Sequence, residues 1–300
     1  MINPKNKWRR YNTLLGICIN EKCETVISKY LIPNYQGQIQ LIFTSPPFPL
    51  NRAKKYGNLM GDEYKKWLCD VVKSMLPLLT EDGSIVIEIG NAWNYGEPTF
   101  STLPMETLLS IKNECGLSLC QEFIYYNPAR LPSPIQYVNI DRIRVKDSFT
   151  RVWWFSRSAN PKANNRNVLK QYSKQMKKLL ETGQYNAGER PSEHSISETA
   201  FNNDNGGAIP SNVIIASNTN SRDPYLLRCK ENGIKIHPAR MPFEVPRFFI
   251  NLLTDENDIV MDCFAGSNTT GYCAEEAKRR WISVEADKDY YMGSKYRFIR

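Results

Sequence analysis

Two short motifs stand at the ends of apolar, strand-like runs that lie far apart in the chain. Thr44-Ser-Pro-Pro-Phe48 follows the run 39–43, and Asp262-Cys-Phe-Ala-Gly-Ser-Asn-Thr-Thr-Gly271 follows the run 259–261. The first motif offers acceptor oxygens and an aromatic ring, which could hold a flat base by its face and its exocyclic amine. The second offers a glycine turn between a strand and a helix, which could hold a nucleoside-like cofactor. The pair predicts a site that brings a base and such a cofactor together.

The first motif has the chemistry to activate an amine. Proline lacks a backbone N–H, so Pro46 and Pro47 cannot continue a sheet ladder, and the Pro46 carbonyl is free to face a pocket beside Ser45. Two acceptors on an exocyclic aromatic amine would localise its delocalised lone pair and direct it at an electrophilic methyl group. Stacking on Phe48, worth roughly 1–3 kcal/mol, would offset part of the few kcal/mol needed to extrude a base from a duplex. The alternative is a proline-rich connecting loop without a catalytic role.

The second motif fits the cofactor half of such a site. Gly266 lets the backbone approach a ligand closely, and polar side chains follow at the predicted helix start. These are Ser267, Asn268 and Thr269. Glu285 ends the next predicted strand, 23 residues after Asp262, where a carboxylate can accept charge-assisted hydrogen bonds from both ribose hydroxyls. The alternative is a strand–helix–strand unit with a purely structural turn.

The elements around both motifs predict an α/β fold. Periodic apolar positions predict a helix over 63–79, and aromatic or β-branched runs predict strands over 84–89, 121–126 and 151–156. Strands that alternate with helices favour a parallel or mostly parallel sheet. The polar texture between 158 and 236 predicts an inserted region, so we divide the chain into segments 1–157, 158–236 and 237–300.

Composition narrows the class of partner. The chain has 39 Lys and Arg against 31 Asp and Glu, a net charge of +8, which favours a polyanion such as nucleic acid. No apolar run approaches the roughly 20 residues of a membrane span, and the N-terminal residues lack the apolar core of a signal peptide. The eight cysteines form no Cys-x-x-Cys pair and do not cluster with the two histidines. We therefore expect reduced thiols, no metal site and a cytoplasmic protein.

The chain resembles the amino-methylating DNA methyltransferases. Both motifs match their catalytic and cofactor motifs, and the order, catalytic first, matches the permuted β class. Further matches to the PvuII-type cytosine-N4 group span about residues 40–290. These are Arg130-Leu-Pro-Ser-Pro-Ile135, Arg144-Val-Lys-Asp147, Val152-Trp-Trp-Phe-Ser156, Asp204-Asn-Gly-Gly-Ala-Ile-Pro210 and His237-Pro-Ala-Arg240. Cys263 and Asn268 depart from the Pro and Gly that are common in the wider class.

The resemblance implies a Rossmann-like fold, S-adenosylmethionine as methyl donor, and flipping of a cytosine from duplex DNA. By position, Ser45 and the Pro46 carbonyl would hold the N4 amine, Phe48 would stack on the ring, and Glu88 would bond Ser45 or receive a proton. The resemblance implies a larger set of residues for the cofactor pocket. It comprises Asp262, Phe264, Gly266, Ser267, Asn268, Thr269, Glu285 and His237. Glu88 could instead be a surface carboxylate at a strand end, and the His237 segment could be a packing turn.

The resemblance further implies a role in a bacterial restriction–modification system. A cognate endonuclease would cut the same DNA site, and the resemblance implies no physical contact between the two enzymes. The segment 158–236 would recognise the target, while the basic loops 52–55 and 142–146 would contact phosphates. We favour a monomer. Two alternatives stay open at this point: an adenine-N6 enzyme, which usually carries Asp or Asn where Ser45 stands, and a non-catalytic nucleic-acid-binding module with a decayed cofactor site.

Overall fold

The computed structural model describes residues 8–48, 59–183 and 203–299, with the backbone of two short strands at 188–189 and 195–196. The predicted phosphate-contacting loop 52–55 lies outside these described residues. The chain divides into two compact units. The larger comprises Met1–Ala163 and Asn212–Arg300, and the smaller comprises Asn164–Ser211.

The described residues form strands and helices in alternation. The strands are β1 (Arg9–Asn12), β2 (Gly16–Asn20), β3 (Ile39–Thr44), β4 (Leu79–Gly90), β5 (Ser118–Tyr126), β6 (Phe149–Ser156), β7 (Gly188–Glu189), β8 (Ser195–Ile196), β9 (Val213–Ile215), β10 (Ile259–Asp262) and β11 (Arg280–Glu285). The helices are α1 (Cys23–Val26), α2 (Ile32–Tyr35), α3 (Gly61–Met75), α4 (Leu103–Glu114), α5 (Lys174–Thr182), α6 (Pro224–Glu231), α7 (Glu244–Leu253), α8 (Thr269–Glu276) and α9 (Lys288–Ser294).

The larger unit is built on one nine-stranded sheet with the order β1-β2-β11-β10-β3-β4-β6-β5-β9. The five strands from β2 to β4 in that order run parallel to one another. Strand β6 is antiparallel to both of its neighbours, β4 and β5. The predicted α/β class is therefore confirmed, with a parallel centre and an antiparallel flank.

The central strands are buried on both faces, as expected for a parallel sheet that helices cover on either side. On one face, the apolar side of α3 joins the largest core cluster through Leu68, Val72 and other side chains. On the other face, Phe249 of α7 packs with its ring 5.7 Å from Phe43 and 4.9 Å from Phe123. The sheet centre is thus fixed from both sides by apolar contacts.

Helix α3 ends earlier than the periodicity predicts. It gives way after Met75 to a 3-10 turn, Leu76–Leu78, and the chain enters β4 at Leu79. Pro77 lies in that turn, and a proline lacks the N–H and the space needed to continue an α-helix. The apolar period runs past the end of the helix because the residues after it remain buried in the same core.

The smaller unit has its own local contacts. A 3-10 turn, Asn165–Val168, precedes α5, whose first residue follows Ser173; the Ser173 hydroxyl accepts a hydrogen bond from the N–H of Met176. Strands β7 and β8 pair antiparallel. Lys170 forms an isolated antiparallel bridge with Ala208. Whether target recognition extends over 158–236 stays a prediction.

Among the described helices, none is long and apolar enough to cross a membrane. Within the same residues, no group of three or more His, Cys, Asp or Glu side chains is placed to hold a metal ion.

The packing of α7 generates a stability prediction. Phe249→Ala removes a fully buried ring that packs on the sheet against Phe43 of β3 and Phe123 of β5, so we expect the free energy of unfolding to fall by about 3–5 kcal/mol. Urea unfolding followed by tryptophan fluorescence measures this change. Leu109→Ala, at a largely exposed site on α4, is the matched control and should change stability by less than about 0.5 kcal/mol. Equal losses in both variants would contradict this account of the core.

Candidate active site

A cavity of about 620 Å³ lies where the carboxyl ends of β3, β4 and β10 meet. Parallel neighbouring strands end at the same edge of a sheet, so the residues that follow them come together there. The lining includes ten of the thirteen sequence-predicted site residues. They are Ser45, Pro46, Phe48, Glu88, His237, Asp262, Phe264, Gly266, Ser267 and Thr269. Of the other three, Pro47 is exposed, Asn268 is fully buried and Glu285 is half-buried.

Asp262 joins the two motifs directly. Its carboxylate accepts a hydrogen bond from the Thr44 hydroxyl (2.8 Å) and a second from the Thr270 hydroxyl (2.7 Å). It also accepts a bond from the backbone N–H of Phe264 (3.0 Å). Burial raises the pKa of Asp262, while these three donors oppose the shift by stabilising its charge. The ends of β3 and β10 and the start of α8 are therefore held around one carboxylate.

Ser45 and Glu88 form the polar centre of the base side. The Ser45 hydroxyl donates to one oxygen of Glu88 (2.6 Å), and the Thr150 hydroxyl donates to the other (2.8 Å). Glu88 is 6% exposed, so the alternative of a surface carboxylate is wrong. Burial raises the pKa of Glu88, against the opposing effects of both hydroxyls and of Arg130. The group is thus a buried carboxylate with a raised proton affinity and two fixed donors.

Phe48 lies against the end of β4. A side chain at Gly90 would place its Cβ 2.3 Å from the Phe48 ring, so only glycine leaves the ring its position. Phe48 and Ser45 line the same cavity. The aromatic face and the serine oxygen of the first motif are therefore available to one flat ligand.

The glycine turn requires its glycine for two reasons. Gly266 has a φ of +52°, and a Cβ there would meet the His237 ring at 3.0 Å. Its N–H donates to Glu285 (2.7 Å), and the N–H of Asp287 donates to the other Glu285 oxygen (2.7 Å). Burial raises the pKa of Glu285 to about 7. Burial also lowers the pKa of His237 to about 4, so this imidazole is neutral at pH 7.

Asn268 has a structural role at the start of α8. It adopts a left-handed backbone conformation and caps α8, because its side-chain oxygen accepts from the N–H of Gly271. The same oxygen accepts from Ser283, and the amide nitrogen donates to Tyr11. These hydrogen bonds within the protein occupy the side chain and connect the start of α8 to β11 and β1.

Three residues around the site had no role in the sequence predictions. Thr150 lies on β6 and reaches Glu88 only because β6 pairs antiparallel with β4. Arg130 lines the cavity and donates to the Phe149 carbonyl. Arg297 is buried and donates to both the carbonyl and the hydroxyl oxygen of Ser267. Thr150 and Arg297 carry no local signal in the sequence, whereas Arg130 stood in a motif without an assigned task.

A family model described as DNA methylase matches residues 39–295, which include both motifs and every strand of the parallel centre except β2. The chain belongs to the DNA methylase family. The cavity therefore lies within the part of the chain that defines these enzymes.

The most similar relatives agree with this assignment. The chain is 45% identical to the type II methyltransferase M.PvuII of Proteus hauseri over 87% of this chain and 78% of that protein. M.BglII of Bacillus subtilis is 22% identical over 85% and 62%. Among solved structures, the PvuII DNA methyltransferase (cytosine-N4-specific) has a TM-score of 0.77 at 36% identity, covering 97% of this chain and 88% of that one. The M1.HpyAVI–SAM complex, at 17% identity and a TM-score of 0.57, covers 94% and 98% and shares the fold.

DNA methylases of this family depend on S-adenosylmethionine. The cavity is chemically suited to that ligand. Gly266 lines the cavity with bare backbone at a point where a Cβ would come within 3.0 Å of His237. Phe264 offers an aromatic ring, and Asp262 offers a carboxylate. The predicted Rossmann-like methyltransferase fold is confirmed by the family and by the match to the PvuII enzyme.

The glycine turn leads to a prediction about cofactor affinity for which the chain offers a matched control variant. Gly266→Ala should weaken binding of S-adenosylmethionine at least 10-fold, because the new methyl group meets the His237 ring. Gly233→Ala is the control: its φ is also positive (+64°), but its Cβ would meet nothing within 4 Å. Both variants should lose about 1–2 kcal/mol of stability from backbone strain. Calorimetric titration separates them, and equal cofactor affinities would refute the close approach at Gly266.

The raised pKa of Glu285 predicts pH-dependent cofactor binding. A ligand whose hydroxyls bond the ionised carboxylate must displace its proton below pH 7, so affinity should fall as pH drops from about 7, by up to 10-fold per unit. Above pH 7 this group contributes no further change. The Glu285→Gln variant has no carboxyl group to titrate at this position. It should bind the cofactor more weakly than the wild type at pH 8, and its affinity should lack this contribution to the fall with pH. Calorimetric titrations between pH 5.5 and 8 measure the cofactor affinity of both proteins. An identical dependence of affinity on pH in the two would exclude Glu285 from cofactor binding.

Proposed function

We propose that this DNA methylase transfers a methyl group from S-adenosylmethionine to the N4 amine of a cytosine flipped out of duplex DNA. The observation that carries the proposal is the Ser45–Glu88 hydrogen bond inside the cavity that the glycine turn also lines. The similarity to the PvuII enzyme, whose structure is described as cytosine-N4-specific, supports the same choice of base.

The Ser45 hydroxyl would act as an acceptor toward the target amine. Its single proton is donated to Glu88, so only its lone pairs remain for a ligand. An amine N–H can bond to that oxygen, whereas a carbonyl of a base cannot. Together with the Pro46 carbonyl, Ser45 would hold both N–H groups of the exocyclic amine and direct its lone pair toward the methyl donor. Phe48 would hold the ring by stacking.

Glu88 would take up the proton that the reaction releases. When bound, S-adenosylmethionine supplies an electrophilic methyl group on a sulfonium. The amine that has gained this methyl group carries an extra positive charge and is strongly acidic. A carboxylate whose pKa is raised by burial accepts such a proton more readily than an exposed one, and the Ser45 hydroxyl lies between Glu88 and the amine. Thr150 would keep the carboxylate oriented.

The cofactor would lie along the glycine turn. Glu285 would accept the ribose hydroxyls, Phe264 would contact the adenine, and Asp262 and His237 would enclose the methionine end. Ser267 and Thr269 add hydroxyls to the lining, while Asn268 would act by fixing α8. Pro47 would contribute rigidity to the turn rather than a contact, since it is exposed.

The proposal extends to the biological role. The residues 158–236 would read the target sequence, and methylation would protect that sequence from a cognate restriction endonuclease, as the type II methyltransferase relatives suggest. Binding to DNA should weaken steeply as salt rises, because basic side chains displace counterions from phosphates. We expect the enzyme to act as a monomer.

The identity of the methylated base is decided by one experiment. Plasmid DNA from cells that express the chain is digested to nucleosides and analysed by mass spectrometry, with DNA from cells that express Ser45→Ala as the control. We expect N4-methylcytosine in the first sample alone. N6-methyladenine instead would make the chain an adenine enzyme. No methylated base, from a protein that also fails to bind S-adenosylmethionine, would favour a binding module with a decayed cofactor site. Sequencing of the same DNA with modified cytosines identified gives the recognised site.

Ser45→Ala also makes a kinetic prediction for the purified enzyme. Loss of one acceptor at the reacting amine should lower turnover by about 10²–10³-fold, while S-adenosylmethionine affinity stays within about 2-fold. Ser28→Ala, at an exposed position in the π-helical turn Ile27–Leu31, is the matched control and should match the wild type in both measurements. Transfer of tritiated methyl to DNA measures turnover. An active Ser45→Ala enzyme would remove Ser45 from the reaction.

A further inference from the structure

The segment 129–146 carries a concentration of exposed apolar side chains beside the cavity. Five large aliphatic residues between positions 131 and 145 are more than half exposed. They are Leu131, Ile135, Ile140, Ile143 and Val145. A single exposed leucine is ordinary, but several exposed aliphatic side chains in one short segment favour a segment that meets a partner. Arg142 and Arg144 are exposed in the same segment, so its charge suits a polyanion.

Leu131 has a special place in this group, because it is 80% exposed and also lines the cavity. It therefore lies at the mouth. Its neighbours Ala129, Arg130 and Ser133 line the cavity as well. This loop therefore forms part of the rim of the cavity.

The backbone on either side of Leu131 is held in place. Lys146 donates to the carbonyls of Pro128 (3.0 Å) and Arg130 (3.3 Å), and the N–H of Asp147 donates to the carbonyl of Ser133 (3.1 Å). The Arg130 guanidinium donates to the Phe149 carbonyl on β6. An apolar side chain is thus presented to solvent from a fixed loop, which costs free energy unless a partner covers it.

Flipping a base leaves a gap in the DNA stack. The unstacking costs a few kcal/mol, and proteins that distort DNA often insert an aliphatic wedge between bases to stabilise the opened step. Such a wedge must be apolar, exposed in the free protein, rigidly presented and next to the pocket that receives the base. Leu131 meets all four requirements.

We propose that Leu131 inserts into the duplex and fills the space that the flipped cytosine leaves. The inference rests on the proposed function, since it needs a target base that leaves the helix. Arg142 and Arg144 contact the phosphates of the opened strand, and the neighbouring aliphatic side chains cover the rim.

The test compares two DNA substrates that carry the site found by sequencing. In one, the target cytosine is paired with guanine; in the other, it stands opposite an abasic position, so it is already unpaired and easier to flip. Methyl transfer is measured as kcat/KM at saturating S-adenosylmethionine for the wild type, Leu131→Ala, Leu131→Phe and Leu14→Ala. Leu14 is 90% exposed in the turn between β1 and β2 and serves as the matched control.

Leu131→Ala should lose roughly 10-fold or more on the paired duplex, because unstacking a base step costs a few kcal/mol, and stay within about 2-fold of the wild type on the abasic substrate. Leu131→Phe, which keeps a wedge, should retain most of the paired activity, and Leu14→Ala should match the wild type on both. Equal activity of Leu131→Ala and wild type on the paired duplex overturns the proposal, as does an equal loss on both substrates. A wild type that methylates cytosine on neither substrate overturns the proposed function instead.

Discussion

The site depends on the hydrogen bonds that converge on Asp262. Thr44, which ends β3, and Asp262, which ends β10, are 218 residues apart in the chain, yet their side chains bond at 2.8 Å. The contact is possible because β3 and β10 are parallel neighbours in the sheet, so their carboxyl ends meet. A sequence in which the base-holding motif comes first and the cofactor motif last thus gives one continuous cavity. The chain order of the two motifs matters less than the adjacency of their strands.

The fold and most of the site could be predicted because their signals are local. Apolar runs marked β3 and β10, a glycine marked the turn at 266, and the residue types at 45–48 marked the chemistry. What could not be predicted depends on pairing over long distances. Thr150 reaches Glu88 through the antiparallel register of β6 on β4, in which Gly90 lies opposite Thr150, and no pattern near residue 150 encodes that register.

Two further differences have the same origin. Asn268 was predicted as a cofactor ligand from its position in the motif, but its side chain is committed to Gly271, Ser283 and Tyr11. Arg297, near the C-terminus, supports the turn through Ser267 and is paired with Asp223 in the interior. In both cases a polar side chain satisfies buried partners from distant parts of the chain, and that requirement becomes visible only once the chain is folded.

The buried carboxylates at the site favour a positively charged group beside them. Burial raises the pKa of Glu88, Asp262 and Glu285, so each carboxylate is ionised at a cost that a nearby positive charge would offset. S-adenosylmethionine brings a sulfonium and an ammonium against one carboxylate, so it adds a net positive charge to this site. Methyl transfer would leave a neutral thioether, and the positive charge would pass to the base side as a proton. Glu88 lies in hydrogen-bond contact with Ser45 on that side, and burial raises its pKa, so it is placed to accept this proton.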